Sequence, residues 1–178
     1  MNTQVAVFGG GCFWCTEAVF DELKGIISAM PGYAAGQTEN PTYEQVETGK
    51  TGHAQVTRVE FDSGQISFLD LLTVFFATHD PTTLNRQNYD IGTQYRSIIL
   101  YTSDQQRQEA EKYVEKLKLD GVNVVTELKS LDKFYPAEDY HKQYFLKNPE
   151  RAYCQIIINP KLEKLQQQFG ELLKSHSK

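Results

Sequence analysis

The order in which strand-like and helix-like segments follow one another is the feature that most limits how this chain can fold. Short apolar or alternating runs predict strands over residues 5–8, 27–33, 55–61, 96–101 and 123–129. Apolar residues at helical spacing predict helices over residues 13–23, 67–79, 103–121 and 138–147, and a last helix from residue 159. A doubly wound parallel sheet needs stricter alternation of strands and helices. We therefore expect an α+β fold.

Length and charge limit the classes of function. The 178 residues fit one domain, which we place over residues 1–178. The net charge of −5 argues against broad binding to nucleic acid or to anionic membranes, because both need a positive field. No apolar run is long enough to span a membrane, and the N-terminus lacks the pattern of a secretory signal. We expect a cytoplasmic monomer with neither nucleic acid nor membrane as a partner.

The connections over residues 36–52 and 80–95 are long for a compact domain, apart from a short predicted helix at 43–47. Long connections without regular structure are usually functional or disordered. Their aromatic residues argue against disorder. We therefore predict that both connections form walls of a site.

The cysteines indicate where that site lies. Cys12 follows a predicted strand and three glycines and stands where a helix begins. Unpaired backbone N–H groups and the helix dipole favour an anion there, so we expect a lowered pKa and a reactive thiolate. Cys15 lies one turn further along the same helix face, at a spacing that suits thiol–disulfide exchange. Cys154 lies near the other end of the chain.

Other interpretations of the cysteines are weaker. Both members of the C-x-x-C pair could be small buried residues, or the chain could be a thioredoxin-like oxidoreductase that uses this pair alone. A zinc-binding module would need two further ligands, and the sequence has no second C-x-x-C. The available ligands are few: Cys154, His53, His79, His141 and His176. We expect no metal.

Several segments occur in an order that resembles a known family. They are GCFW at 11–14, NPTYEQV at 40–46, TGHA at 51–54, HDPTT at 79–83, DIGTQYRS at 90–97 and FYPAEDYHKQY at 134–144. Together they resemble the peptide methionine-S-sulfoxide reductases of the A class over nearly the whole chain. The resemblance implies an α/β roll with a central mixed β-sheet flanked by helices. It also implies reduction of the S epimer of methionine sulfoxide, free or in proteins, with thioredoxin as reductant and no cofactor.

The resemblance assigns roles to individual residues. Cys12 matches the nucleophile that attacks the sulfoxide sulfur and becomes a sulfenic acid. Phe13 and Trp14 match the aromatic pocket for the substrate methyl group. Tyr43 and Tyr95 match hydroxyls that donate to the sulfoxide oxygen, and Asp90 matches an acid that orders the site. A thioether methyl prefers a polarizable apolar wall, and donors aimed at the oxygen help as it gains charge.

One position departs from the family pattern. Gln55 stands where the family usually has the glutamate that gives a proton to the oxygen. An amide donates a hydrogen bond but does not release a proton at neutral pH. A tyrosine or water then supplies the proton, or the rate is lowered, and Gln55→Glu is expected to raise the rate. Glu60 lies five residues along the predicted strand, so it is expected to face away.

Regeneration of Cys12 needs a second thiol. Cys154 matches a resolving cysteine found in many family members, and Cys15 offers a closer alternative. Both could act in relay, and the sequence does not order them. His53 and His141 lie in family motifs and are interpreted as structural hydrogen-bonding residues.

Overall fold

A six-stranded mixed sheet forms the centre of the computed structural model, which describes residues 1–175. The strand order is β7-β6-β1-β3-β2-β8, and β6 and β7 are parallel whereas the other pairs are antiparallel. The sheet strands are β1 (Thr3–Gly9), β2 (Ile26–Ala34), β3 (Ala54–Asp62), β6 (Ile98–Tyr101), β7 (Glu127–Ser130) and β8 (Phe134–Pro136). A separate two-stranded ribbon pairs β4 (Arg86–Gln87) with β5 (Asp90–Ile91).

Helices flank this sheet. They are α1 (Phe13–Asp21), α2 (Tyr43–Glu47), α3 (Phe68–Thr78), α4 (Asp104–Leu119), α5 (Tyr144–Lys147) and α6 (Asn159–Gln168). Short 3₁₀ turns occupy Thr93–Tyr95, Asp139–His141 and Gly170–Leu172, and a π-helical turn, Cys154–Ile158, leads into α6. Capping boxes at Thr42 and Ser67 define the starts of α2 and α3. The predicted α+β class with a mixed sheet and flanking helices is confirmed.

The core lies between the sheet and helices α1, α3 and α6. Strand β1 is central and pairs on both sides, so its apolar residues are buried. The ring centroid of Phe8 on β1 lies 4.9 Å from that of Phe20 on α1 and 5.1 Å from that of Phe75 on α3. These aromatic contacts pack α3 and the C-terminal end of α1 against β1, the strand that leads to Cys12.

Some predicted elements differ from the structure. The helix predicted over 138–147 is interrupted at Gln143, whose φ of 54° is left-handed and whose N–H donates to Glu17 Oε1 at 2.8 Å. The strand predicted over 123–129 begins only at residue 127. Strand β8 and the β4–β5 ribbon were not predicted, because each has three residues or fewer and depends on pairing with a partner strand. Within residues 1–175, no helix combines the length and apolar character needed to cross a membrane.

A buried carboxyl makes stability depend on pH. Glu17 on α1 is 2% exposed, and burial together with nearby Asp21 raises its pKa from 4.5 to about 7. Between these two values the folded chain holds a proton that the unfolded chain has released. The free energy of unfolding therefore falls as pH rises through this window.

We expect Glu17→Gln to stabilise the fold at pH 8 by about 2 kcal/mol and to reduce the pH dependence of unfolding. The amide oxygen can still accept the hydrogen bond of the Gln143 N–H. Urea unfolding at pH 5 and pH 8 measures both effects. The slope that remains includes Asp21, whose pKa burial raises to about 6, and His79, whose pKa burial lowers to about 4 and which acts with the opposite sign. Glu115→Gln, at an exposed position on α4, is the matched control, and an unchanged pH dependence in Glu17→Gln would contradict the expectation.

Candidate active site

Cys12 stands between the end of β1 and the start of α1. The chain turns there at Gly11, whose φ is 95°, and a Cβ at that position would lie 2.8 Å from the Gln87 side chain. Only glycine accommodates both the left-handed backbone and this close approach. Cys12 has extended backbone angles and occupies the N-cap position of α1, and its side chain is partly exposed.

The expected lowering of the Cys12 pKa is not what the structure shows. Burial, followed by the neighbouring Cys15, raises the pKa of Cys12 well above 9.0. The backbone N–H of Trp14 acts in the opposite direction, as a helix start should, but burial is the larger effect. The prediction was wrong because spacing in the sequence does not reveal how much protein covers the thiol. Cys12 is therefore a thiol at neutral pH, and its proton must leave when it reacts.

Aromatic rings surround Cys12. Phe13 is fully buried, whereas Trp14 is partly exposed and stacks on Tyr144 with ring centroids 3.7 Å apart. The Trp14 Nε1–H donates to His141 Nδ1 at 3.1 Å, which fixes the indole plane. The His141 ring in turn lies 5.0 Å from the Phe13 ring and 4.4 Å from the Tyr43 ring. This surface presents a polarizable wall beside the thiol.

Two tyrosine hydroxyls come to this region from the two long connections. Tyr43 begins α2, and its backbone N–H donates to Glu138 Oε2 at 3.0 Å. Within the described residues its hydroxyl has no hydrogen-bond partner, so it is free to donate to a ligand. Tyr95 ends the 3₁₀ turn before β6, and its hydroxyl donates to Glu47 Oε2 at 2.9 Å. Burial raises the pKa of both phenols, so both remain protonated.

Gln55 connects Glu47 to the backbone beside Cys12. It lies on β3, is 1% exposed, and accepts from the Phe13 N–H at 3.2 Å through Oε1. Its Nε2 donates to Glu47 Oε1 at 2.8 Å. Sequence reasoning missed Glu47, although it lies one helical turn from Tyr43 on the same face of α2.

Asp90 and a second missed residue, Tyr153, extend the site toward the other cysteines. Asp90 lies on β5, and the Tyr153 hydroxyl donates to its Oδ2 at 3.0 Å. The same hydroxyl lies 3.5 Å from Cys15 Sγ. Burial raises the pKa of Tyr153, and the nearby Cys12 is the next cause. Asp90 thus orients a phenol that contacts one thiol and acts electrostatically on another.

All three cysteines are free thiols. Cys15 is 3% exposed, and Cys154, on the π-helical turn, is fully buried. Burial raises the pKa of both. Cys15 raises the pKa of Cys12 and also that of Cys154, so it acts electrostatically on both of the other thiols.

The histidines have structural partners. His53 accepts from the Gly36 N–H at 3.1 Å and bonds the Thr38 carbonyl at 2.7 Å. His141 holds Trp14, and His79 contacts the Phe75 carbonyl and Ser97. His176, counted above as a zinc ligand, lies outside the described residues. In the described part of the chain, no group of three or more His, Cys, Asp or Glu side chains could hold a metal ion.

The structure thus brings the predicted aromatic and polar residues to the region of one thiol, and Cys15 acts electrostatically on both of the other cysteines. A partly exposed thiol at a helix start, with a second thiol one helical turn further on, is an arrangement typical of thiol-dependent oxidoreductases. The family model for peptide methionine sulfoxide reductase matches residues 4–173. The chain belongs to this family and is an enzyme that reduces methionine sulfoxide.

Individual relatives agree with that assignment. Peptide methionine sulfoxide reductase MsrA of Acinetobacter baumannii is 55% identical over 172 residues, which are 97% of this chain and 99% of that protein. The structure of reduced Mxr1 from Saccharomyces cerevisiae has a TM-score of 0.79 at 33% identity and covers 86% of this chain and 90% of its own. Methionine sulfoxide reductase A of Corynebacterium diphtheriae has a TM-score of 0.76 at 38% identity, with coverages of 83% and 76%.

Proposed function

We propose that the chain reduces the S epimer of methionine sulfoxide, free or in peptides and proteins, by attack of Cys12 on the sulfoxide sulfur. The supporting observation is the asymmetry around this thiol. Trp14 offers a wall for the methyl group on one side, and the hydroxyl of Tyr43, unpaired within residues 1–175, offers a donor for the oxygen on another. The Cys12 thiol, the Trp14 ring and the Tyr43 hydroxyl approach the sulfoxide sulfur from three different directions. Only one of the two epimers can therefore meet all three groups at once. The choice of S follows the family resemblance.

In the reductive step, Cys12 Sγ bonds to the substrate sulfur, the oxygen passes from that sulfur to Sγ, and the Sγ–sulfur bond then breaks as methionine leaves. The products are methionine and a sulfenic acid on Cys12, so the sulfoxide gains the two electrons that Cys12 loses. The oxygen ends as the hydroxyl of the sulfenic acid and needs one proton. The Cys12 thiol releases one proton in the same step, so the proton count is balanced.

Regeneration of the thiol begins at Cys15. Its thiol attacks the sulfenic acid on Cys12, a disulfide forms, and water leaves. Cys154, on whose pKa Cys15 acts, can then attack Cys15, which forms the Cys15–Cys154 disulfide and releases the Cys12 thiol. Thioredoxin or another thiol reduces the final disulfide and supplies the electrons, so the reaction uses no further cofactor. Support comes from the yeast relative Mxr1, which has been solved in complex with the thioredoxin Trx2.

The setting of this chemistry is a reducing compartment. Three free thiols and recycling by thioredoxin suit the cytoplasm, where such thiols stay reduced. We propose that the chain acts there as a monomer on oxidised proteins and peptides.

A racemic methionine sulfoxide peptide tests the proposal. With a thiol reductant, we expect consumption to stop at half of the racemate, with the R epimer left and a preference of at least about 10²-fold. Chromatography that separates the two epimers measures this directly. Equal consumption of both epimers, or consumption of the R epimer alone, contradicts the proposed stereochemistry without touching the family assignment.

A further inference from the structure

A carboxyl group lies in the site at a position that no family motif assigns. Glu47 ends α2, one turn after Tyr43, and its two oxygens accept from Gln55 Nε2 at 2.8 Å and from the Tyr95 hydroxyl at 2.9 Å. Both donors are predicted site residues from other elements, β3 and the 3₁₀ turn before β6. The Glu47 carboxyl group therefore links Gln55 and Tyr95 through one hydrogen bond to each.

The surroundings connect Glu47 to the reacting thiol. Gln55, which donates to Glu47, accepts at its other end from the N–H of Phe13, the residue directly after Cys12. Glu47 and Cys12 also both act electrostatically on Tyr43. The side chain of Glu47 is partly exposed, whereas Gln55 is buried beneath it. Of the two, only Glu47 can meet a substrate that enters from solvent.

The groups otherwise considered as proton donors are less suited. The hydroxyl of Tyr95 directs its one hydrogen at Glu47, and an amide such as Gln55 does not give up a proton. Glu60, one of the two acids on β3, accepts from Arg58 at 3.4 Å and lies opposite Val5 in the sheet. Tyr43 can donate a hydrogen bond, but burial raises the pKa of its phenol, which opposes release of the proton.

We propose that Glu47 is the catalytic acid of the reductive step, in the place of the acid that the family carries at position 55; this rests on the proposed function. Glu47 takes part as the neutral acid and Cys12 as the thiolate, a pair that forms when the thiol proton moves to the carboxylate. As the Sγ–sulfur bond forms, the carboxyl proton goes to the sulfoxide oxygen. That oxygen becomes the sulfenic hydroxyl on Cys12, methionine leaves, and Glu47 ends as the carboxylate.

Gln55 is a positioning residue in this arrangement. Its amide donates to one carboxyl oxygen and so orients the acid toward the substrate. The expectation for Gln55→Glu alone changes accordingly. A carboxylate at position 55 would replace a donor at 2.8 Å with a like charge beside Glu47, so no gain in rate is expected from that substitution alone. The carboxyl at position 47 accepts the hydrogen bond that the amide at position 55 donates, so each side chain suits the other.

Glu47→Gln tests the proposal under single-turnover conditions without added reductant. We expect the rate of methionine formation to fall by about 10²-fold, because general acid catalysis contributes about 10²–10⁴-fold and Tyr43 retains part of it. The matched control is Glu44→Gln, on the exposed face of the same helix, whose rate should stay within about twofold of the wild type. A Glu47→Gln rate within about threefold of the wild type, in folded protein, overturns the proposal.

The exchanged pair, Glu47→Gln with Gln55→Glu, keeps the composition and moves the carboxyl to the other end of the same hydrogen bond. We expect it to recover at least about tenfold of the lost rate. No recovery, with an unchanged circular dichroism spectrum and midpoint of thermal unfolding, counts against proton donation and overturns the proposal. The wild-type rate distinguishes failure of the proposed function from failure of the role of Glu47. If the wild type makes no methionine, the proposed function is wrong, whereas equal rates in wild type and Glu47→Gln reject only the role of Glu47.

Discussion

Cys12→Ser is expected to form no detectable methionine from methionine sulfoxide, even when enzyme is in large excess over substrate. A serine hydroxyl does not ionise at accessible pH and is a weak nucleophile without an adjacent base. No other thiol replaces it, since Cys15 is 3% exposed and Cys154 is fully buried. Replacing a nucleophile can lower a rate by on the order of 10⁶-fold. The measurement is methionine formed per chain after rapid mixing, by mass spectrometry.

Loss of the fold cannot explain the expected loss of activity in this variant. Cys12 occupies the N-cap of α1, and its side chain makes no capping hydrogen bond. Serine is among the preferred N-cap residues, so Cys12→Ser should leave the thermal midpoint unchanged or raise it by the equivalent of about 0.5 kcal/mol. Methionine formation by a folded Cys12→Ser protein would show that another group attacks the sulfoxide.

The periodicity of the sequence predicted the longer elements because each of them carries its own signal. The capping box at Ser67 and the apolar spacing after it define α3, and the alternation over residues 55–61 defines most of β3. Strand β8 has three residues and forms only because it pairs with β2. The left-handed backbone at Gln143 depends on the buried Glu17. Such features follow from contacts that are distant in the sequence.

The candidate site was predicted in part, for a similar reason. The motifs that carry the resemblance named Cys12, Tyr43 and Tyr95, and the structure brings them to one region. Glu47 was missed because its partners lie eight and 48 residues away in the chain. The pKa of Cys12 was predicted in the wrong direction because local helix geometry is visible in a sequence, whereas burial is a property of the whole fold.

Cys15→Ser is expected to leave the first methionine per chain intact and to stop turnover driven by thioredoxin. Of the three thiols, the first step needs only Cys12. In the proposed mechanism the sulfenic acid then lacks Cys15, the thiol that acts electrostatically on both other cysteines. We expect the steady-state rate with thioredoxin to fall by at least about tenfold. Cys154→Ala is expected to have a smaller effect, and alanine avoids placing a hydroxyl in the fully buried position.

A small dithiol separates resolution from attack in these variants. Dithiothreitol can reach the sulfenic acid on partly exposed Cys12 directly, so it should sustain turnover in Cys15→Ser where thioredoxin does not. Mass spectrometry of the wild type after one turnover should find the disulfide between Cys12 and Cys15 before any disulfide that includes Cys154. Full thioredoxin-driven turnover in Cys15→Ser together with a loss in Cys154→Ala would reverse the order and make Cys154, on the π-helical turn, the thiol that first attacks Cys12.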